Sequence, residues 1–164
     1  MAGYGTDEGF AAWLETYGYT LPGVGVPSVA VLRQRGSAYI DGEYGPNFGG
    51  TPTGGLAQER AFPRSGITAY GKTVADDVVP YVIEEASYFA AYQEALQPGV
   101  LSPSATNSGV VQRERVEGAV DISYFEHKGD PLKGATRRFA FIEGILAPFL
   151  AKSRYGNYGA ILVV

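Results

Sequence analysis

The segment QERAFPRSG, residues 58–66, places one arginine on each side of an aromatic residue and a proline. It lies in a glycine- and proline-rich span, which predicts neither a regular helix nor a regular strand. One interpretation is a binding site, in which Phe62 stacks on a base while Arg60 and Arg64 bind phosphate. The other is a rigid loop that packs into the body of the protein. The two interpretations predict different functions.

Basic and aromatic residues elsewhere in the chain raise the same question. Single-strand binding proteins combine stacking rings with basic side chains in a groove, and this chain has 12 tyrosines and 8 phenylalanines. Most of these rings, however, fall on helix faces where a core needs them. Paired arginines near acidic residues also suit ion pairs between subunits. The basic clusters are Arg33/Arg35, Arg60/Arg64, Arg113/Arg115, Lys133/Arg137/Arg138 and Lys152/Arg154.

The overall charge disfavours a protein whose main task is to grip phosphate. The net charge is −4 and the pI is near 5.0, whereas nucleic-acid binding proteins usually carry a basic excess. A local basic patch remains compatible with this balance.

No pattern in the sequence indicates catalysis, a cofactor or a metal site. The chain has no cysteine, and its one histidine, His127, lies among charged residues in FEHKGD. No serine occupies a G-x-S-x-G turn. The segment GPNFGGTPTGG lacks the Lys-Ser/Thr ending of a phosphate-binding loop. We therefore predict a protein that is not an enzyme. The absence of a run of about 18 apolar residues predicts no membrane span.

Helix signals predict a mainly α fold, a small bundle of about four helices. Thr6 resembles an N-cap, and Gly18 closes the first amphipathic helix. Pro27 fits the first turn of a second helix, on which the side chains of Arg33 and Arg35 fall largely off the apolar stripe. A third helix begins near Pro80. The fourth begins at Asp130-Pro131, and its apolar face is formed by Phe139, Ile142, Ile145, Leu146, Phe149 and Leu150.

Two irregular segments and a hairpin separate these helices. Residues 45–75 form a long Gly/Pro-rich loop, and residues 97–109 form a turn-rich linker that we expect to be the least ordered part. Residues 110–126 alternate apolar and polar side chains around Glu117-Gly118, which predicts a protruding β-hairpin. Its first arm is polar on both faces, so it should project or lie against a partner.

The order of these motifs resembles the tailed-bacteriophage head–tail connector (adaptor) proteins, in particular a branch often labelled DnaT-like single-stranded DNA-binding protein. The resemblance covers about residues 4–150, and Phe62 stands where the family usually has tryptophan. The motifs that carry it are RQRGSAYIDGEYG (33–45), FPRSG (62–66), VVPYVIEEASYFA (78–90), RERVEGAVDISYF (113–125) and FIEGILAPFL (141–150).

The resemblance implies a structural subunit of the phage neck. Such subunits form a ring, commonly of about twelve copies, beneath the portal protein. The ring extends the DNA channel without sequence-specific binding and attaches the next neck or tail protein, a stopper or tail terminator. The protein would be made in the host cytoplasm and reside in the virion at the head–tail interface. The alternative is a DnaT-like single-stranded DNA-binding protein.

The resemblance also divides the chain into a connector-type domain, residues 1–150, and a C-terminal extension, residues 151–164. Apolar, β-prone residues in the extension need a covering partner, and we expect them to contact a neighbouring subunit or the portal. These residues are Tyr158, Ile161, Leu162, Val163 and Val164. The hairpin residues expected to contact a subunit or line the channel are Arg113, Glu114, Arg115 and Glu117.

For the loop in which Phe62 lies, these arguments favour packing over ligand binding. Phe62 is then an anchor between helices, Pro63 fixes the backbone, and Gly66 permits the turn that follows. Arg64 is expected to bond loop carbonyl groups or a carboxylate, and Arg60 is expected to face outward.

Overall fold

In residues 2–102 and 137–151, which the computed structural model describes, the chain forms four α-helices with a long irregular loop. The helices are α1 (Asp7–Tyr17), α2 (Val29–Tyr44), α3 (Tyr81–Leu96) and α4 (Ala140–Leu146). The predicted mainly α fold is therefore confirmed, while the predicted hairpin at 110–126 lies outside the described residues. Within the described ranges, no helix is both long enough and apolar enough to cross a membrane.

Helix α1 begins and ends where its local sequence predicts. The Thr6 hydroxyl oxygen accepts a hydrogen bond from the Gly9 amide at 2.9 Å, and Asp7 and Glu8 lie at the positive end of the helix dipole. Gly18 then takes a left-handed conformation (φ 66°) and its amide bonds the Glu15 carbonyl. Short-range capping chemistry thus sets both ends of this helix.

Helices α2 and α3 pack at close range along a stripe of small residues. Gly36 and Ser37 of α2 face Ser87 and Ala91 of α3, and the Ser37 and Ser87 hydroxyls lie 2.8 Å apart. A methyl group on Gly36 would meet the Ser87 carbonyl oxygen at 2.3 Å. Small side chains therefore allow the two backbones to approach each other, and they form the centre of the bundle.

The predicted start is nearly correct for α2 and correct for α3. Helix α2 begins at Val29 after Ser28, so Pro27 precedes the helix instead of lying in its first turn. Helix α3 follows Pro80 as predicted.

Two buried clusters flank the α2–α3 contact. The α1 side is formed by Phe10, Trp13, Leu32 and Tyr88, and the opposite side by Ile40, Tyr44, Phe48, Phe62, Ile83, Ile142 and Leu146.

The last helix is shorter than predicted. Asp130 and Pro131 lie outside the described residues, but residues 137–139 are not helical and Phe139 has an extended backbone. The reason is packing, because the Phe139 ring makes edge contacts with Tyr39 (5.9 Å between centroids) and Phe89 (5.7 Å). Its predicted apolar face is confirmed, since Phe139, Ile142, Leu146 and Phe149 are buried and Ile145 and Leu150 pack partly buried against the core.

The first residues of the predicted linker also pack against the bundle. Val100 and Leu101 are buried, and the Glu94 carboxylate accepts hydrogen bonds from the Gly99 amide at 3.1 Å. The expectation of a poorly ordered linker is thus wrong for residues 97–102, and residues 103–109 lie outside the described part.

Contrary to the prediction of no regular strand, the long loop contains two short antiparallel strand pairs. In the first, β1 (Thr51–Pro52) pairs with β2 (Arg64–Ser65). In the second, β3 (Thr68–Ala69) pairs with β4 (Lys72–Thr73) through a turn at Tyr70 and Gly71. The chain after α4 closes onto this loop, because the Gly49 amide bonds the Phe149 carbonyl and the Ala151 amide bonds the Asn47 carbonyl.

Candidate functional site

The FPRSG loop packs into the core through its aromatic residue. Phe62 is buried, and its ring makes an edge contact with Phe48 at 4.9 Å between centroids. The Phe62 amide donates to the Tyr4 hydroxyl at 3.1 Å, and the peptide bond between Phe62 and Pro63 is cis. The Phe62 ring is therefore part of the core and is not available to stack on a base.

The guanidinium group of Arg64 forms hydrogen bonds with carbonyl groups of the same loop. Its guanidinium donates to the carbonyl oxygens of Gly49 and Gly50, both at 2.8 Å, and to those of Ala61 at 3.2 Å and Phe48 at 3.4 Å. Burial lowers the pKa of Arg64 from its ordinary value. The four carbonyl oxygens replace the water that a buried guanidinium loses, so this side chain stabilises the loop and cannot contact a phosphate.

Two glycines make this closed loop possible. Gly66 has φ +75° and carries the chain out of β2. Gly50 has φ +63°, and a Cβ there would lie 2.0 Å from the Ser65 carbonyl oxygen. The backbone just before β1 thus lies against the backbone of β2 without room for a side chain.

Arg60 does not face outward as predicted. Its side chain is only 11% exposed and pairs with Asp41 at 3.2 Å. Its Nε donates to the Ala2 carbonyl at 2.9 Å, and the guanidinium lies 5.8 Å from the centre of the Tyr4 ring. The N-terminal segment folds over the loop and covers Arg60, an arrangement that no local pattern around residue 60 encodes.

Tyr4 and Asp41 join this segment to the loop, and neither was predicted as a site residue. The Tyr4 hydroxyl donates to Asp41, whose carboxylate also accepts the Ala61 amide at 3.2 Å. Burial, followed by the hydrogen bond to Asp41, raises the pKa of Tyr4 above its ordinary value, so its phenol stays protonated and donates. A tyrosine beside an N-terminal helix cap is the one sequence signal that points to this role.

Arg33 also differs from its predicted position off the apolar stripe of α2. It is buried and donates to the carbonyl oxygens of Gly3, Tyr4 and Gly5, and to Asp7. These acceptors come from the residues that lead into α1. The side chain therefore fastens the N-terminal segment onto α2 and has no free donor face for a ligand.

The remaining basic clusters are only partly described. Arg35 bonds the buried Glu94 at 2.9 Å, and Arg138 bonds Glu43 at 2.6 Å. Arg137 lies over the Phe139 ring and bonds the side chain of Gln97. The predicted site residues outside the described part are Arg113, Glu114, Arg115, Glu117, Tyr158, Ile161, Leu162, Val163 and Val164, together with Lys133, Lys152 and Arg154.

An open groove of about 490 Å³ lies beside α2, and its charged lining is already paired. Arg35, Glu43 and Glu94 contribute its charged groups, and Leu101 and Ser102 close one side. Each of these charges takes part in the ion pairs given above. Among the residues that the structure describes, no group of three or more histidines or carboxylates could hold a metal ion.

Three tyrosines remain with an exposed ring in the described ranges: Tyr17, Tyr70 and Tyr81. The Tyr17 hydroxyl donates to Glu85, and this hydrogen bond raises the pKa of Tyr17 to about 12. Burial raises the pKa of Tyr81, and the negative charges of Glu85 and Glu84 raise it further. Two of the three exposed rings thus lie beside carboxylates.

These features define a small helical-bundle domain with a structured loop, in which the described arginines bond within the fold. The chain belongs to the family whose model is described as "Putative DnaT-like ssDNA binding protein", which matches residues 3–163. The match confirms the DnaT-like part of the resemblance and extends it beyond residue 150 to the C-terminal segment. No curated protein and no solved structure matches the chain significantly.

Proposed function

We propose that the protein is a structural subunit of a phage neck, forming a ring-shaped head–tail connector below the portal. The observation that carries this proposal is that the arginine side chains form hydrogen bonds and ion pairs within the fold. Arg33, Arg60 and Arg64 are nearly buried and bond to carbonyl groups or to carboxylates. A body built in this way lets DNA pass along its surface without holding the phosphates.

The distribution of acidic side chains supports the same role. Exposed carboxylates without an ion pair in the described ranges are those of Glu8, Glu15, Glu59, Asp76 and Asp77. A negative surface repels the DNA backbone, which suits the wall of a channel. The role is then mechanical and not catalytic, and the protein acts in the virion at the head–tail interface.

The rigid loop supports assembly into a ring. Residues 45–75 are bonded to α2 through Asp41, to the N-terminal segment through Tyr4, and to the chain after α4 through Gly49 and Ala151. A loop held at several points loses little entropy when a neighbouring subunit binds it, which favours association. The partners would be further copies of the chain, about twelve in the ring, the portal protein and the next neck or tail protein.

Native mass spectrometry and negative-stain microscopy with the cognate portal test this proposal. We expect a ring of several copies when the portal is present. Deletion of residues 157–164 should reduce the bound fraction at least tenfold, since burial of apolar side chains there contributes about 1.5–3 kcal/mol each. A control variant in which a glycine–serine segment of equal length replaces these residues should bind the portal as weakly as the deletion variant. A chain that stays monomeric and ignores the portal contradicts the proposal.

The second candidate function is single-stranded DNA binding, which the description of the family supports directly. In this case the contact must come from the few basic groups that do not bond within the described fold. A gel-shift titration with oligo(dT) across salt concentrations tests it. We expect affinity that falls steeply as salt rises, because phosphate contacts release counterions. Negligible affinity at low salt would exclude this function.

A further inference from the structure

The turn between β3 and β4 has an unusual residue in a demanding conformation. Tyr70 (φ 52°) and Gly71 (φ 75°) both have positive φ, as in the two-residue turns that favour Asn-Gly. Tyr70 is the one non-glycine residue with positive φ in the described part of the chain. An aromatic residue adopts this conformation only at an energetic cost. Tyr70 is 80% exposed, so packing within the chain does little to offset that cost.

The neighbouring Lys72 differs from every arginine described above. It is exposed, and no ion pair or hydrogen bond joins its ammonium group to the described residues. The arginines of the same ranges are all bonded to carbonyl groups or other side chains. The tip of this hairpin therefore brings together an exposed ring and an unpaired positive charge, two residues apart.

The other exposed rings lack this combination. Tyr17 and Tyr81 lie beside Glu85, whose negative charge repels a phosphate. Asp76 and Asp77 follow the β3–β4 hairpin in the chain. Their negative charges repel a polyanion, so binding is favoured at the tip and disfavoured near these two residues. Ring and charge at the tip match the two groups that repeat along a nucleic acid, the base and the phosphate.

We propose that the β3–β4 tip, residues 70–72, is a contact site for a single nucleic-acid strand. The Tyr70 ring stacks on a base and the Lys72 ammonium group contacts an adjacent phosphate. Gly71 carries no side chain, so the strand can approach the backbone between them. This inference rests on the second candidate function and assigns it a site within the described part of the chain.

Fluorescence anisotropy with labelled oligo(dT) at several salt concentrations tests the site in the full chain. We expect Tyr70→Ala to weaken binding about tenfold, the size of one lost base stack. Lys72→Ala should weaken binding and reduce the dependence of log affinity on log salt by about 0.7. Tyr81→Ala, which removes an exposed ring beside carboxylates, is the matched control and should bind like the wild type.

A second variant separates binding from folding. Tyr70→Gly relieves the positive φ, so its thermal midpoint should stay at or above that of the wild type while its affinity falls as in Tyr70→Ala. If the wild type binds and both tip variants bind equally well, the proposed site is wrong and the single-strand binding function stands. If Tyr81→Ala loses as much affinity as Tyr70→Ala, the site is also wrong. If the wild type fails to bind at low salt, the binding function is wrong, and the site with it.

Discussion

Arg64→Ala is expected to lower the free energy of unfolding by about 3–4 kcal/mol. The substitution removes four hydrogen bonds to the carbonyl oxygens of residues 48, 49, 50 and 61, of which the bond to Phe48 is buried and the other three are partly buried. Each buried polar group left unpaired costs about 1–3 kcal/mol. Urea denaturation followed by the fluorescence of Trp13, the only tryptophan, measures the loss.

Two companion variants show whether the geometry of the guanidinium group causes this effect. Arg64→Lys should lose most of the same stability, because an ammonium group has only three N–H donors and lacks the planar fork of a guanidinium group. Arg137→Ala is the control, since its exposed side chain makes one hydrogen bond at 3.3 Å and one contact with the Phe139 ring, and it should cost about 1 kcal/mol. Trypsin should cut after Arg60 faster in Arg64→Ala than in the wild type. Equal stability of Arg64→Ala and the wild type would show that these hydrogen bonds do not hold the loop.

Gly36→Ala is expected to destabilise the protein by about 3 kcal/mol although alanine favours helix formation. Alanine in a helix interior is about 1 kcal/mol better than glycine. At this position, however, the new methyl group would meet the Ser87 carbonyl oxygen at 2.3 Å and the Ala91 amide nitrogen at 2.8 Å. Both atoms belong to the backbone of α3 and cannot rotate away, so the two helices must separate and the contact between Ser37 and Ser87 is lost.

Gly42 provides a matched control on the same helix. A Cβ at Gly42 would meet nothing within 4 Å, so Gly42→Ala keeps the helix propensity gain without the collision. We expect it to raise the free energy of unfolding by about 0.5–1 kcal/mol. Opposite signs at the two positions, measured by urea denaturation, support the close α2–α3 packing. A stabilising Gly36→Ala would contradict it.

The helices were largely predictable because their signals are local. Thr6 and Gly18 mark the ends of α1, and Pro80 marks the start of α3. The burial of Phe62 was also predictable. An aromatic ring in a Gly/Pro-rich loop favours burial, and the negative net charge of the chain disfavoured the alternative, a nucleic-acid site. The shortened α4 was not, since aromatic contacts of Phe139 with distant helices overrode the helical pattern around it.

By itself, the amino-acid sequence determined a mainly α protein with a structured loop and membership of the DnaT-like family. Caps, turns and apolar periodicity depend on residues within a few positions of each other, so they can be recognised without coordinates. Only the tertiary structure decided where the charges go. Arg33 bonds residues 26–30 positions away, and Arg60 bonds Ala2 at a separation of 58. Side chains that looked like ligands for phosphate became internal bonds, because the fold supplied carbonyl and carboxylate partners from distant parts of the chain.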